Sequence, residues 1–131
     1  INVLLVEDAP DNQVLVSRLL KLSGATVETA FNGREAVEKA RKKMFDVILM
    51  DLQMPIMDGY EATASLRRGG YDAPIIALTA HAFKEEQQRC LASGFSDHLS
   101  KPVNRQVLIE SIYQHALNKR RDSASGHQNP T

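Results

Sequence analysis

Short apolar runs of strand length alternate along the chain with segments whose apolar residues recur every three or four positions. This alternation predicts βαβ units built on a parallel sheet. The run at 47–50 is apolar at every position, which is typical of a strand covered by helices on both faces. The predicted strands cover residues 3–6, 26–30, 47–50, 74–78 and 97–100.

The helices between these strands are indicated by their start and stop signals. Asn32 with Glu35, and Asp58 with Glu61, resemble capping boxes at the starts of the second and third helices. Gly94 predicts the end of a fourth helix that starts near residue 83. The fifth helix begins after residue 104, and its apolar stripe predicts burial of Leu108, Ile109, Ile112 and Ala116.

Together these elements predict one α/β domain over residues 1–118. We expect a (βα)5 doubly wound parallel sheet with strand order 2-1-3-4-5, as in flavodoxin-like folds, and a ligand site where that order reverses. The composition changes at Lys119, where three basic residues precede a polar segment with almost nothing to bury. Residues 119–131 are therefore predicted to be a disordered C-terminal tail.

Four of the apolar runs stop on polar residues. The first run is followed by Glu7 and Asp8, the third by Asp51, the fourth by Thr79, and the short fifth run by Lys101. Because the carboxyl ends of parallel strands share one edge of the sheet, these side chains are expected to converge.

This set of residues is suited to phosphoryl chemistry. Asp51 is the candidate nucleophile, since a carboxylate can accept a phosphoryl group as an acyl phosphate. Asp8 and Asp51 would bind Mg²⁺ directly, and Glu7 would hold a coordinated water. Lys101 would place a positive charge, and Thr79 a hydroxyl donor, on phosphoryl oxygens.

Each of these residues also has a common structural explanation when it is taken alone. An acidic pair after a strand is usually a solvated loop, and Asp51 ahead of Pro55 could belong to a turn. Thr79 could bond to the backbone, and Lys101 could be a surface lysine. Their joint occurrence, in order and each at a strand end, favours the functional interpretation.

The charge balance, the cysteine content and the length of the apolar runs limit the classes of function that we expect. The chain of 131 residues carries 16 basic and 16 acidic side chains, so bulk attraction to nucleic acid or to an anionic membrane is not expected. Cys90 is the single cysteine, which fits a reducing compartment and a cytoplasmic location. No apolar run approaches the roughly 20 residues that span a bilayer. Since the first residue is Ile1, we expect a piece of a longer protein.

Four short motifs lie at the carboxyl ends of the predicted strands: Leu5-Val6-Glu7-Asp8, Asp51 to Gly59, Ala77-Leu78-Thr79-Ala80 and Ser100-Lys101-Pro102. On these motifs the chain resembles a response-regulator receiver domain of two-component signalling over residues 2–118. The segment 51–59 looks most like receivers fused to hybrid sensor histidine kinases.

The resemblance implies a mechanism and partners. Asp51 would be phosphorylated by a phosphohistidine on a histidine kinase or a histidine phosphotransfer domain, and the domain would promote its own phosphorylation and dephosphorylation. Mg²⁺ would be held by Asp8, Asp51 and the backbone carbonyl of Gln53. The Lys101–Pro102 peptide would be cis. This segment would be either the receiver of a hybrid kinase, and then the cytoplasmic part of a membrane-bound sensor, or a stand-alone regulator.

The resemblance also implies a switch. Thr79 would turn towards the phosphoryl group while an aromatic residue on the fifth strand rotates, which would change the helix 4–strand 5–helix 5 surface. His98 occupies that second position, where the family more often has Tyr or Phe, so it would either rotate in the same way or be a surface histidine at a strand end. Gln53 and His81 occupy the two positions that flank the attacking water, so they are expected to set the acyl-phosphate lifetime.

The same residues bear on three other functions: a scaffold, a hydrolase and a flavin-binding protein. A phosphorylation-independent scaffold of receiver fold would not need the intact set of site residues. A hydrolase with an aspartyl nucleophile typically carries a second aspartate two residues after the first, where this chain has Gln53. A flavin-binding protein of this fold is disfavoured because the acidic loop at Glu7 and Asp8 would repel a phosphate that arrives without a metal.

Overall fold

The structure, a computed structural model, describes residues 1–80 and 83–126, with only the course of the backbone given for 120–126. Five strands alternate with five helices within these residues. The elements are β1 (Asn2–Val6), α1 (Pro10–Leu22), β2 (Thr26–Ala30), α2 (Gly33–Lys42), β3 (Val47–Asp51), α3 (Gly59–Arg68), β4 (Ile75–Thr79), α4 (Lys84–Ser93), β5 (Asp97–Ser100) and α5 (Arg105–Gly126).

The strands form one parallel sheet in the order β2-β1-β3-β4-β5. The register pairs Leu5 with Leu49, and Thr79 with Ser100, so the carboxyl ends of the central strands lie side by side. This topology confirms the predicted (βα)5 doubly wound fold. The order reverses at β1 and β3, which is where open α/β sheets bind their ligands.

Each face of the sheet is covered by a separate apolar layer. Alternate residues of β1 belong to different layers: Leu4 lies in the cluster that includes α2 and α3, whereas Leu5 lies in the cluster that includes α1 and α5. All five residues of β3 are buried, as the predicted strand covered on both faces requires. Helices therefore cover both faces of the sheet.

The predicted helix caps are present. The Asn32 side chain accepts a hydrogen bond from the Glu35 backbone N–H at 2.9 Å, and the Asp58 side chain accepts one from Glu61 at 2.9 Å. Gly94 ends α4 with a φ of +105°, in the left-handed region. These caps fix where α2, α3 and α4 begin or end relative to the sheet.

Helix α5 is longer than the sequence predicted. Leu108, Ile112 and Ala116 are buried as expected, but Ile109 is only half-buried. The backbone is helical through Gly126, whereas disorder was predicted from Lys119. A helix that is already nucleated adds residues more easily than a new helix starts, and Lys119 Nζ also binds Asp72 Oδ2 at 2.7 Å.

The remainder of the predicted tail, residues 127–131, lies outside the described residues. The domain boundary at residue 118 stays a prediction. Although α5 is the longest helix, no helix in the described part of the chain is long and apolar enough to cross a membrane.

Candidate functional site

The carboxyl edge of the sheet gathers the predicted side chains. Glu7 and Asp8 directly follow β1, Asp51 ends β3, Thr79 ends β4, and Lys101 directly follows β5. Glu7, Asp51 and Thr79 are buried, whereas Asp8 is exposed and Lys101 is half-buried. The cluster is therefore open on the Asp8 side and closed towards the sheet.

Lys101 is held between two carboxylates. Its Nζ lies 2.9 Å from Asp51 Oδ2 and 3.2 Å from Glu7 Oε1. Burial by itself would lower the pKa of Lys101, but the hydrogen bond and charge of Asp51, followed by the charge of Glu7, raise its pKa above the usual value. The ammonium therefore stays charged and is aimed at the candidate nucleophile.

The Glu7 carboxyl group is buried next to the carboxylate of Asp51. Its side chain is 1% exposed, and burial, followed by the adjacent Asp51 carboxylate, raises the pKa of Glu7 to about 7. Asn12 and Lys101 both hydrogen-bond Oε1 and oppose this rise. The other oxygen, Oε2, is buried without a hydrogen-bond partner among the described residues. An oxygen in this state is suited to a cation or to a water held by one.

A divalent cation fits the acidic cluster. Glu7, Asp8 and Asp51 each offer a carboxylate oxygen, and these three atoms lie within 4.8 Å of one another. Mg²⁺ prefers a small number of carboxylates and keeps several waters, which the exposed Asp8 side of the cluster admits. The orphaned Glu7 oxygen is a second observation that agrees with this fit.

Gln53 lies beside the candidate nucleophile. Its backbone N–H donates a hydrogen bond to Asp51 Oδ1 at 3.2 Å, and its side chain is exposed. The other oxygen of Asp51 faces Lys101. The Asp51 carboxylate is thus oriented from both sides, and the Gln53 side chain is free to reach the mouth of the site.

The loop after Asp51 packs tightly against it. A Cβ atom on Gly59 would lie 2.4 Å from the Asp51 backbone oxygen, so only glycine fits there. Within the loop, Ile56 has a φ of +72°, and the Met57 N–H donates to the Pro55 carbonyl at 2.8 Å, which forms a γ-turn. This turn leads into α3, which begins at Gly59.

One residue of the site, Glu86, was not predicted from the sequence. A cleft of about 90 Å³ is lined by Asp51, Thr79, Lys101 and also Glu86. The Thr79 hydroxyl donates a hydrogen bond to Glu86 Oε1 at 3.0 Å. Glu86 is in the first turn of α4, where an acidic residue is expected in any helix, so no local signal marked it.

The remaining predicted positions are placed as follows. The Lys101–Pro102 peptide bond is cis, as the resemblance implied. His98 is half-buried in β5, and its Nδ1 lies 3.9 Å from Asp97 Oδ1. The same aspartate binds His115 Nε2 at 3.0 Å. His81 lies outside the described residues.

Comparison with known proteins agrees with this geometry. The family model of the response regulator receiver domain matches residues 3–113. The chain is 40% identical over 123 residues to the sensor histidine kinase RcsC of Escherichia coli K12, a match that covers 92% of this chain and 13% of that kinase. The chain thus spans only a small part of the length of this relative.

Two solved structures are similar to the whole fold. One is the receiver domain of the sensor histidine kinase PA1611 from Pseudomonas aeruginosa PAO1 with a magnesium ion in its active-site cleft; its TM-score is 0.82 at 38% identity, covering 88% of this chain and 96% of that one. The other is the receiver domain of Ssk1 in complex with the histidine phosphotransfer protein Ypd1 from Saccharomyces cerevisiae; its TM-score is 0.84 at 34% identity, covering 91% of this chain and 90% of that one. With the family match over residues 3–113 and the charged cluster at the carboxyl edge of its sheet, the chain belongs to the response regulator receiver family.

Proposed function

We propose that this domain is a phosphoacceptor that takes a phosphoryl group from a phosphohistidine onto Asp51. The observation that carries the proposal is the Asp51 carboxylate, held against the Lys101 ammonium at 2.9 Å and next to two further carboxylates at the open edge of the sheet. Such a site combines a nucleophile, a fixed positive charge and room for a divalent cation.

The transfer step needs little covalent chemistry from the protein. An oxygen of Asp51 forms a bond to phosphorus while the N–P bond of the phosphohistidine breaks, and the electron pair of that bond returns to the imidazole. Lys101 neutralises charge on a phosphoryl oxygen, and the Thr79 hydroxyl donates a hydrogen bond to another. The transition state is loose and anionic, so positioning and charge neutralisation supply most of the rate.

Mg²⁺ is the cofactor that we propose for this site. Glu7, Asp8, Asp51 and the backbone carbonyl of Gln53 would hold it, with Glu7 acting through a bound water. When bound, it supplies positive charge that offsets the repulsion between the carboxylates and the incoming phosphoryl group. The charge of Lys101 alone does not balance three carboxylates within 4.8 Å.

The proposed phosphodonor is a histidine kinase or a histidine phosphotransfer domain, in the cytoplasm. The likeness to RcsC and to the Ypd1-bound receiver of Ssk1 supports this choice of partner class. We propose that the chain is the receiver of a hybrid sensor histidine kinase, which either relays the phosphoryl group onward or switches its α4–β5–α5 surface. Thr79 and His98 would carry that switch, and Gln53 and His81 would set the lifetime of the acyl phosphate.

Intact mass spectrometry tests the proposal directly. The chain is incubated with Mg²⁺ and a small-molecule phosphodonor, and separately with a phosphorylated histidine phosphotransfer domain. We expect one base-labile phosphoryl group on the parent chain and none on Asp51→Asn. Asp11→Asn, a change at an exposed carboxylate on α1, serves as the matched control and should behave as the parent does. Failure of both donors would overturn the proposal in favour of the phosphorylation-independent scaffold.

A further inference from the structure

We propose that Glu86 is a positioning residue that holds the Thr79 hydroxyl in the unphosphorylated protein and must release it when Asp51 is phosphorylated. This inference rests on the proposed function. It concerns the first turn of α4, which the phosphotransfer mechanism does not otherwise use.

The Thr79 hydroxyl has one proton, and that proton is already used in a hydrogen bond to Glu86. The Thr79 hydroxyl donates to Glu86 Oε1 at 3.0 Å, and Thr79 is only 4% exposed. A hydroxyl has a single proton to donate, so it cannot serve Glu86 and a phosphoryl oxygen at the same time. The bond to Glu86 therefore competes directly with the bond that the phosphorylated state requires.

The negative charge of Glu86 also opposes a phosphoryl group on Asp51. Glu86 lines the same 90 Å³ cleft as Asp51, and this is the cleft that a phosphoryl group on Asp51 would enter. A phosphoryl group beside a carboxylate is disfavoured by repulsion and by the cost of desolvating both. Phosphorylation thus weakens the contact from both ends, since it attracts the Thr79 proton and repels the Glu86 carboxylate.

A second cleft offers space to a Glu86 side chain that has been released from Thr79. Glu86 also lines a neighbouring cleft of about 530 Å³ together with Arg89, which is three positions later on α4. Residues with this spacing are neighbours on a helix surface, so an ion pair is within reach. The Arg89 guanidinium is held 3.9 Å from the Tyr60 ring centroid, which fixes it at that cleft. The contact between Thr79 and Glu86 would thereby couple the phosphorylation site to α4.

The test compares the binding of beryllofluoride, a phosphoryl mimic, in the presence of Mg²⁺ by calorimetry. Removing the competing acceptor with Glu86→Ala should tighten beryllofluoride binding on the order of tenfold, since a hydrogen bond to a charged group is being removed from the free state. Glu86→Gln, which keeps an acceptor oxygen, should give a smaller gain. Glu85→Gln, a change at the exposed neighbouring carboxylate, controls for helix charge and should leave the affinity near that of the parent.

A double-mutant cycle separates positioning from simple charge repulsion. In a Thr79→Val background there is no hydroxyl to release, so Glu86→Ala should bring only the part of the gain that comes from removing the Glu86 charge, clearly less than in the parent background. An equal gain with and without the hydroxyl would overturn the inference, as would an unchanged affinity in Glu86→Ala. If the parent itself binds neither beryllofluoride nor a phosphoryl group, the proposed function fails, and this inference fails with it.

Discussion

Glu7→Gln should change how the stability of the metal-free protein depends on pH. The folded protein raises the pKa of Glu7 from 4.5 to about 7, so the folded state binds this proton more tightly than the unfolded state does. The stability that this group contributes is fully present below about pH 4.5 and is lost as the pH rises through about 7. At about 1.4 kcal/mol per pKa unit, the loss amounts to roughly 3 kcal/mol.

The assay is chemical unfolding followed by circular dichroism, in the presence of a chelator, between about pH 5 and pH 8. The glutamine variant keeps the size of the side chain but cannot titrate, so its free energy of unfolding should fall less than that of the parent across this range. Glu38→Gln, a change at an exposed carboxylate on α2, is the matched control and should follow the parent. Parallel curves for Glu7→Gln and the parent would refute the reasoning.

The same residue should make cation binding depend on pH. Mg²⁺ requires ionised carboxylates, so the affinity of the parent for Mg²⁺ should rise as the pH passes through about 7. In Glu7→Gln, calorimetric titration should find weaker Mg²⁺ binding with less of this pH dependence. Equal affinity in both proteins at all pH values would remove Glu7 from the cation site.

Three further substitutions have expected outcomes. Gly59→Ala should lower the free energy of unfolding by about 1–3 kcal/mol in chemical unfolding, because the new Cβ would lie 2.4 Å from the Asp51 backbone oxygen; an unchanged value would mean that the loop shifts freely. Ile56→Gly should not lower that free energy, since it removes the steric cost of a φ of +72° at a side chain that is 75% exposed; a clear loss would show that the isoleucine packs in a way that its exposure hides. Lys101→Ala should slow phosphoryl uptake measured by intact mass, because no charge would then face Asp51 Oδ2; an unchanged rate would exclude the role given to Lys101.

The fold was largely predictable because its signals are local and repeat along the chain. Buried parallel strands are apolar at nearly every position, and the 47–50 run was recognised on that basis alone. The capping residues Asn32 and Asp58 marked helix starts through short-range hydrogen bonds, which sequence spacing captures. The extent of α5 was not predictable in this way, since its continuation past residue 118 depends on a helix that tertiary packing has already nucleated.

Only the site residues that lie at or next to the ends of strands could be predicted from the sequence. Topology brings Asp51, Thr79 and Lys101 together, since parallel strands expose their carboxyl ends at one edge. The raised pKa of Glu7 was not visible in the sequence, because it arises from burial next to Asp51. The role of Glu86 was not visible in the sequence either. Glu86 reaches Thr79 from α4, and the position of α4 depends on how it packs against the sheet.

These observations together make the free site electrostatically unbalanced. Carboxylate oxygens of Glu7, Asp8 and Asp51 lie within 4.8 Å of one another, and a fourth carboxylate, that of Glu86, lines the adjoining cleft. Among the described residues, Lys101 is the cation that contacts Glu7 and Asp51. On the proposed function, a phosphoryl group adds further negative charge to this cluster, so we expect its uptake to be coupled to the binding of a cation. Because binding free energies are reciprocal, the factor by which Mg²⁺ tightens beryllofluoride binding must equal the factor by which beryllofluoride tightens Mg²⁺ binding. Glu86→Ala should reduce this shared factor, since it removes one of the charges that the cation offsets.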